Sequence, residues 1–505
     1  MKVLFVQAYR ERAGVEYLSA YLKKHGHDVE LFFDPMIFNN TSFQIDRLSR
    51  VFDFEPFLRQ RIKVSRPDIV AFSVLTLEYQ WALKRAETIK RVDPTIPVVF
   101  GGIHPTLCPE VVIQNPFVDA VCVGEGELPL LKFVESHAKG ERDPRIPNFW
   151  IKTDNGIVKN AVEFINESLD QLPFPDKQLF YDANPLFKRN YSIALGRGCV
   201  FNCSYCCHNV LRKIYCKSKY FRKRGIENSI AELVQAKRHY HPKRVEFMDD
   251  TFLCGDRNYA KDFLREYKKE VDLPYTCNSH CNFLDDEICQ LLKESQCVML
   301  EMGIQSCDEQ YRKKYLFRNE TNEDYRRVAA ILHRHKIPFA LDHIFNLPSE
   351  KEESYKNAAL FYNELRPSYM STFWLQYFPG ADILDIAVRE KIIDEKGRAC
   401  INNGLANGRF SLSVGGTDYF NVERQYFNYQ FWFTLIPLVP RKIFQKLFLR
   451  FYRHPKKCAN TSILFFHFLA KIKVGFGFWM AEDIEFHIVS IWRYYKRKFF
   501  ISKAR

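Results

Sequence analysis

Long apolar runs are scarce in this chain of 505 residues. The start, MKVLFVQAYRERAG, lacks the stretch of roughly 7–15 apolar residues that marks a signal peptide. The longest apolar stretches, near the other end, are broken by Pro437, Pro440, Lys471 and Lys473. They fall short of the roughly 20 clean residues a spanning helix requires. Internal repeats and low-complexity tracts are absent, which excludes solenoids and fibrous folds. A disulfide framework is missing too: the 15 cysteines are scattered unevenly through a long chain, unlike the dense spacing of small secreted domains. A reducing cytoplasm is the expected setting.

What is present reads as a folded protein, 47% hydrophobic and 27% charged, too long for one core and expected to form two or three domains. Charge is concentrated rather than spread. From residue 431 to the end there are 15 Lys and Arg against 3 Asp and Glu, a net +12 of the chain's +14. The remainder is nearly neutral, which argues against a nucleic-acid binder, whose basic surface should match its body.

Residues 1–137 alternate apolar strands (KVLFVQ, DVELFF, DIVAFSV, PVVFGG, DAVCVG) with helical patterns at Val15 to His25 and Gln80 to Val92. That alternation predicts a doubly wound, Rossmann-like parallel sheet. Ligands of such sheets sit at the carboxyl ends of the strands. Here those ends are FSVLT, GGIHPT and GEGE, whose glycines either close βα turns or let a ligand approach the backbone.

Residues 138–190 read as a connector, with a hairpin turning at Asn155-Gly156 and a Pro-punctuated loop, LPFPDKQLFYDANP, without helical period. From 191 to 390 six further strands follow (YSIAL, RVEFM, PYTC, VMLEMG, PFALDHIF, YMSTFW), with helices at Asp285 to Glu294, Asn322 to His335 and Glu352 to Glu364. Six βα units predict a partial (β/α)6 barrel of the TIM type rather than a closed eight-fold one. Residues 391–505 form a basic, aromatic, mainly helical region.

The chemistry is concentrated in GRGCVFNCSYCCHN, directly after the first barrel strand. Cys199, Cys203 and Cys206 are spaced C-x3-C-x2-C, with Cys207 adjacent. Thiolate clusters bind zinc or iron–sulfur centres, and spacing alone leaves both open. Three thiolates holding three irons of a [4Fe–4S] cluster would leave the fourth iron open for another ligand.

The segment resembles the hallmark of the radical S-adenosylmethionine (AdoMet) superfamily, with the aromatic Tyr205 just before the last cysteine. The resemblance implies a [4Fe–4S] cluster on Cys199, Cys203 and Cys206, with AdoMet chelating the open iron and cleaved to a 5′-deoxyadenosyl radical. VEFMDDTF is similar to the family's acidic segment that meets the methionine amino group, which nominates Asp249 and Asp250. Their plainer reading is a solvated strand end or helix cap. GIQS is similar to the G-I-E-S segment, which nominates Gly303, Gln305 and Ser306 near AdoMet. DHIFNLP and FPGADI stand in the places of G-L-P and Y-P-G-T-P segments, although Asn346 replaces a glycine and Gln305 a glutamate.

The amino-terminal segments RAGVEYLSAYLKKHGHDVEL, GGIHPT and VGEGE resemble the cobalamin-binding domain that precedes the barrel in one branch of this superfamily. That implies cobalamin near Ser73, Thr76, Gly101, Gly102, His104, Gly124 and Glu125. The loop QAYRERAG lacks the histidine of D-x-H-x-x-G, so no protein histidine is expected on the cobalt. His104 is equally well read as a turn residue hydrogen-bonded to backbone. The function implied is cobalamin-dependent radical methylation of an unactivated carbon or phosphorus centre. A radical cyclase or oxidase and a zinc-stabilised corrinoid carrier are the rival readings. A small-molecule or lipid-like substrate and an electron donor such as flavodoxin or ferredoxin are the expected partners. The tail is either a helical cap on the barrel or a peripheral contact with an anionic membrane.

Overall fold

The computed structural model describes every residue except 40–44, 142, 164–165, 216–219, 407–424, 453–459, 474, 476 and 504–505, so parts of the basic tail lie outside the described residues. Seven strands build the first sheet: β1 (Lys2–Ala8), β2 (Asp28–Asp34), β3 (Ile69–Ser73), β4 (Val98–Gly101), β5 (Ala120–Cys122), β6 (Phe149–Thr153) and β7 (Gly156–Lys159). Their order is β2-β1-β3-β4-β5-β6-β7. The first five are parallel and carry near-continuous apolar runs because helices cover both faces. The helix Tyr79–Val92 shows why: it buries Tyr79, Ala82, Ala86 and Ile89 at helical spacing.

The predicted hairpin exists, but it is part of this sheet: β6 pairs antiparallel with β5, and β7 with β6. The segment LPFPDKQLFYDANP is not only a loop. Gln178–Ala183 forms a short helix, preceded by Lys177, whose buried ammonium pairs with Glu11 at 2.9 Å and Glu16 at 2.8 Å. Tertiary ion pairing, not local period, holds that turn.

The second sheet comprises β8 (Asn190–Ile193), β11 (Arg244–Phe247), β12 (Tyr275–Ser279), β13 (Cys297–Gln305), β14 (Phe339–Phe345) and β15 (Tyr369–Trp374), parallel and in sequence order. Between β8 and β11, the two-residue strands β9 (Gly196–Arg197) and β10 (Arg222–Lys223) form an antiparallel ribbon. This is the six-stranded open barrel expected from the sequence. Its outer face, including Leu300, Met302, Leu341 and Phe345, packs into one continuous core with the surrounding helices.

Among the described residues six helices follow the last barrel strand: Asp382–Arg389, Glu395–Asn402, Gln425–Leu435, Arg441–Phe451, Asn460–Lys473 and Gly477–Lys503. Tyr429, Phe433, Phe444 and Phe448 join the barrel core, and Tyr494 joins that of the first sheet. The last helix closes the amino-terminal end of the barrel strands, where Glu482 pairs with Arg244 at 2.5 Å and Glu485 with Arg189 at 2.5 Å. Among the described residues no helix is long and apolar enough to cross a membrane.

Candidate active site

Strand ends dictate where the nominated residues meet. The cysteine loop leaves the carboxyl end of the β8 segment, passes through β9, and ends at the start of the helix Cys207–Ile214. Gly198 has φ +83°, and a Cβ there would collide with the Tyr220 carbonyl, so the loop can fold against 220–222 only with glycine. Cys199 and Cys203 are buried and Cys206 is half-buried. Burial pushes the Cys199 thiol up to about 11, and Cys203 and Cys206 lie near enough to add to the shift. Thiols in that state bind as thiolates only when a cation displaces their protons, so this donor set fits a metal cluster.

A different grouping is the tight one among the described residues: ligand atoms of Cys206, Cys207 and His208 lie within 4.8 Å of one another, whereas the three motif thiols as a set do not. Yet both His208 nitrogens are engaged, Nε2 with Asp250 Oδ2 at 2.6 Å and Nδ1 with the Tyr220 hydroxyl. With its imidazole committed, His208 is not offered as a ligand, which leaves the loop's cysteine thiols as its donors.

Around this loop the structure assembles a buried polar network that motif reading passed over. Arg318 donates to the Gly303 carbonyl at 2.8 Å, the Tyr205 hydroxyl at 3.1 Å and the Tyr325 hydroxyl at 3.2 Å. It pairs with Glu320 and stands 4.0 Å from Cys203 Sγ. The carboxylate of Glu320 is held well below the usual range by its hydrogen bond to His280 and by Arg318, against its burial. Arg318 thus ties the cysteine loop to the GIQS strand. Nothing local in its sequence marks its role, because Gly303, Tyr205 and Tyr325 lie on other elements.

Gly303 and Gln305 alternate on one face of β13. Gln305 is 8% exposed, with φ +66°, and its Oε1 has no hydrogen-bond partner. A buried orphan acceptor beside the cysteine loop is what a missing ligand would satisfy. Ser306 turns elsewhere, donating to Glu350 Oε1 at 2.6 Å. Asp249 is buried and accepts from the Leu195 amide at 2.8 Å, with burial raising it to about 7. Asp250 is exposed on its way to His208.

The barrel lumen is polar. Glu246, Glu301, Asp342 and Ser371 occupy the pleat positions opposite the packed outer face, and Ser371 donates to Glu301 Oε1 at 2.6 Å. Burial and the neighbouring Glu301 push Asp342 well above the usual carboxylate range, although Glu246, Glu301 and Asp342 all retain accessible surface. These partly accessible carboxyl groups line the inner face of the barrel sheet. An ordinary TIM barrel fills this space with branched apolar residues.

Ser73, Gly101 and Gly124 lie at the carboxyl ends of β3, β4 and β5, on the side of the first sheet that meets the barrel. Gly102 has φ +94°, and a Cβ there would sit 2.7 Å from the Val74 amide nitrogen. The Gly124 amide donates to Thr106 at 3.0 Å. His104 is fully buried, its ring 4.3 Å from Tyr79 and its Nδ1 3.2 Å from Thr76 Oγ1, and burial lowers it to about 4. Its side-chain partners are therefore Thr76 and Cys108, not backbone. Glu125 is committed to the barrel through Arg222 and Arg197, so its carboxylate docks the two sheets against each other.

The comparisons with known proteins agree with this geometry. A B12 binding domain model matches residues 6–134 and a radical SAM superfamily model matches residues 193–362. The chain belongs to the cobalamin-binding radical SAM superfamily. It is a radical SAM enzyme whose cofactors are cobalamin, a [4Fe–4S] cluster and AdoMet. An uncharacterized methyltransferase of Pyrococcus horikoshii is 25% identical over 388 residues, 75% of this chain and 79% of that one. The anaerobic magnesium-protoporphyrin IX monomethyl ester cyclase of Rubrivivax gelatinosus is 24% identical over 404 residues, covering 75% and 68%. The structure of the cobalamin-dependent S-adenosylmethionine radical enzyme OxsB, with aqua-cobalamin and S-adenosylmethionine bound, superposes with a TM-score of 0.65 at 15% identity, covering 96% of this chain and 80% of that one. That likeness shows the fold.

Proposed function

We propose that this enzyme transfers a methyl group to an unactivated carbon or phosphorus centre of a small-molecule or lipid-like substrate held in the polar barrel lumen. The carrying observation is that the loop of two buried thiols and one half-buried thiol is tied by Arg318 to the strand that carries the orphaned Gln305 acceptor, over a polar inner face of the barrel sheet. In this reading the chain divides into a cobalamin domain (1–137), a connector (138–190), the radical barrel (191–390) and a helical region (391–505). Cys199, Cys203 and Cys206 hold the cluster. Asp249, Asp250, Gly303, Gln305, Ser306 and Tyr205 hold AdoMet, with Asp249 supplying an acceptor for its ammonium. Ser73, Thr76, Gly101, Gly102, His104, Gly124 and Glu125 border the corrin, the glycines by letting it approach the backbone.

When bound, the cofactors supply an electron, a hydrogen-abstracting radical and a methyl group. This chain's own part is to orient and to exclude water: Arg318 fixes Tyr205 and Gly303 against the cysteine loop, and the carboxyl-terminal helices close the lumen's floor. A low-potential donor such as flavodoxin or ferredoxin completes the reaction, and the carboxyl-terminal region makes a peripheral membrane contact. Chromatography of AdoMet products from anaerobically reconstituted enzyme tests this reading. 5′-Deoxyadenosine together with S-adenosylhomocysteine is expected. 5′-Deoxyadenosine without S-adenosylhomocysteine, in the presence of a turned-over substrate, would favour ring closure or oxidation, the second reading, which the similarity to the cyclase of Rubrivivax gelatinosus supports.

A further inference from the structure

The carboxyl-terminal helices cover the barrel floor with one face and leave the other uncovered. In Gly477–Lys503, His487, Ser490 and Tyr494 are buried. Ile484, Ile488, Trp492, Tyr495 and Phe499 are each 48–60% exposed. At about 100° per residue, these five side chains fall within an arc of about 80°. Lys496 and Lys498, both exposed, flank the stripe, and the Lys496 ammonium lies 5.0 Å from the Trp492 ring. Arg441–Phe451 repeats the pattern: Phe444 and Phe448 are buried, whereas Ile443, Leu447 and Phe451 form a second exposed stripe beside Lys446 and Arg450. A scattered exposed leucine needs no explanation, but two aligned stripes of bulky apolar and aromatic residues do.

Charge decides what covers them. The three acidic residues of 431–505 are engaged by cations of the protein: Glu482 pairs with Arg244, the partly exposed Glu485 with Arg189, and Asp483 acts on Arg10 and Lys471. The outward side is left with lysine and arginine. Trp, Tyr, Phe and Ile bordered by cations are the composition of a helix lying in a bilayer interface, where rings sit at headgroup level and ammonium groups meet lipid phosphate.

We propose that the stripe Ile484–Ile488–Trp492–Tyr495–Phe499, together with Lys496 and Lys498, docks this enzyme on an anionic lipid bilayer without spanning it. The proposal deepens the membrane contact of the preceding reading and names its face and its lipid charge. Co-sedimentation of the full-length holoenzyme with phosphatidylcholine vesicles, and with vesicles of phosphatidylcholine mixed with phosphatidylglycerol, tests it. The protein is expected to pellet with the anionic vesicles, less so at high salt, and to remain in solution with the neutral ones. Ile488→Ser/Trp492→Ser should weaken the anionic binding at least about tenfold, since serine offers the bilayer almost no apolar area to withdraw from water. Lys496→Glu/Lys498→Glu should remove the preference for phosphatidylglycerol. All four positions are exposed, so unchanged circular dichroism and cobalamin binding confirm that each variant is folded. Failure to pellet with either vesicle, or equal pelleting of the wild type and both variants, would overturn the proposal. Sedimentation needs neither AdoMet nor reductant, so its failure would leave the radical chemistry standing.

Discussion

Arg318→Met tests whether the cysteine loop is held by the network described above. The substitution keeps much of the aliphatic volume and removes the donors to Gly303, Tyr205 and Tyr325. It also strips Glu320, whose side chain is 3% exposed, of its guanidinium partner, leaving His280 at 3.5 Å and the Tyr325 hydroxyl at 3.1 Å. Breaking a buried pair by removing one member costs about 3–5 kcal/mol, because the surviving charge stays buried. For a domain of this size that lowers the melting midpoint by about 10 °C, at about 2–4 °C per kcal/mol. Scanning calorimetry of the holoenzyme reads it. Arg318→Met/Glu320→Gln, which removes the stranded charge, should recover most of the loss in stability. AdoMet cleavage should stay low in both, because neither variant restores the tie from Gly303 to Tyr205. A single variant as stable as the wild type, or a double variant no better than the single, would refute the reasoning.

Other perturbations read neighbouring parts of the site. Asp249 rises from 3.8 to about 7 on burial, so the fold keeps a proton that the unfolded chain releases above about pH 4. Its contribution to stability is therefore greatest below that pH and falls by about 4 kcal/mol up to pH 7. Asp249→Asn should remove this slope in calorimetry across pH. Because an ammonium pairs with the carboxylate form, AdoMet affinity by equilibrium dialysis should rise through about pH 7 in the wild type. In Asp249→Asn it should be flat and about tenfold weaker at pH 8. Gly102→Ala forces a Cβ to within 2.7 Å of the Val74 amide at φ +94°, which should cost at least about 1 kcal/mol and weaken cobalamin binding while AdoMet binding persists. Glu125→Ala leaves the nearly buried Arg222 without its carboxylate and should cost about 3 kcal/mol, seen as faster proteolysis between the two sheets.

Much of this architecture could be read from local pattern. The five parallel strands of the first sheet are near-continuous apolar runs because both of their faces are covered, and the six barrel strands stand out by apolar residues at alternate positions. The hairpin was legible from Asn155-Gly156, but its pairing with β5 was not, since strand order depends on a partner remote in sequence. The turn Gln178–Ala183 escaped because Lys177 and its carboxylates, not an apolar period, hold it. Arg318 escaped for a related reason: its contacts with Tyr205 and Gly303 bridge 113 and 15 residues. The polar lumen was hidden in strands that look merely amphipathic until their outer faces are seen packed against helices. The tail's aromatics could not be divided between core and surface without knowing which side of each helix meets the barrel.

Electron paramagnetic resonance of the reduced, reconstituted enzyme, with and without AdoMet, tests the central claim that Cys199, Cys203 and Cys206 present an open iron to AdoMet. The account predicts one [4Fe–4S] signal per chain that shifts when AdoMet is added. That signal should be lost in Cys199→Ala, Cys203→Ala and Cys206→Ala and retained in Cys207→Ala. A signal that survives Cys203→Ala, that depends on Cys207, or that ignores AdoMet would contradict it.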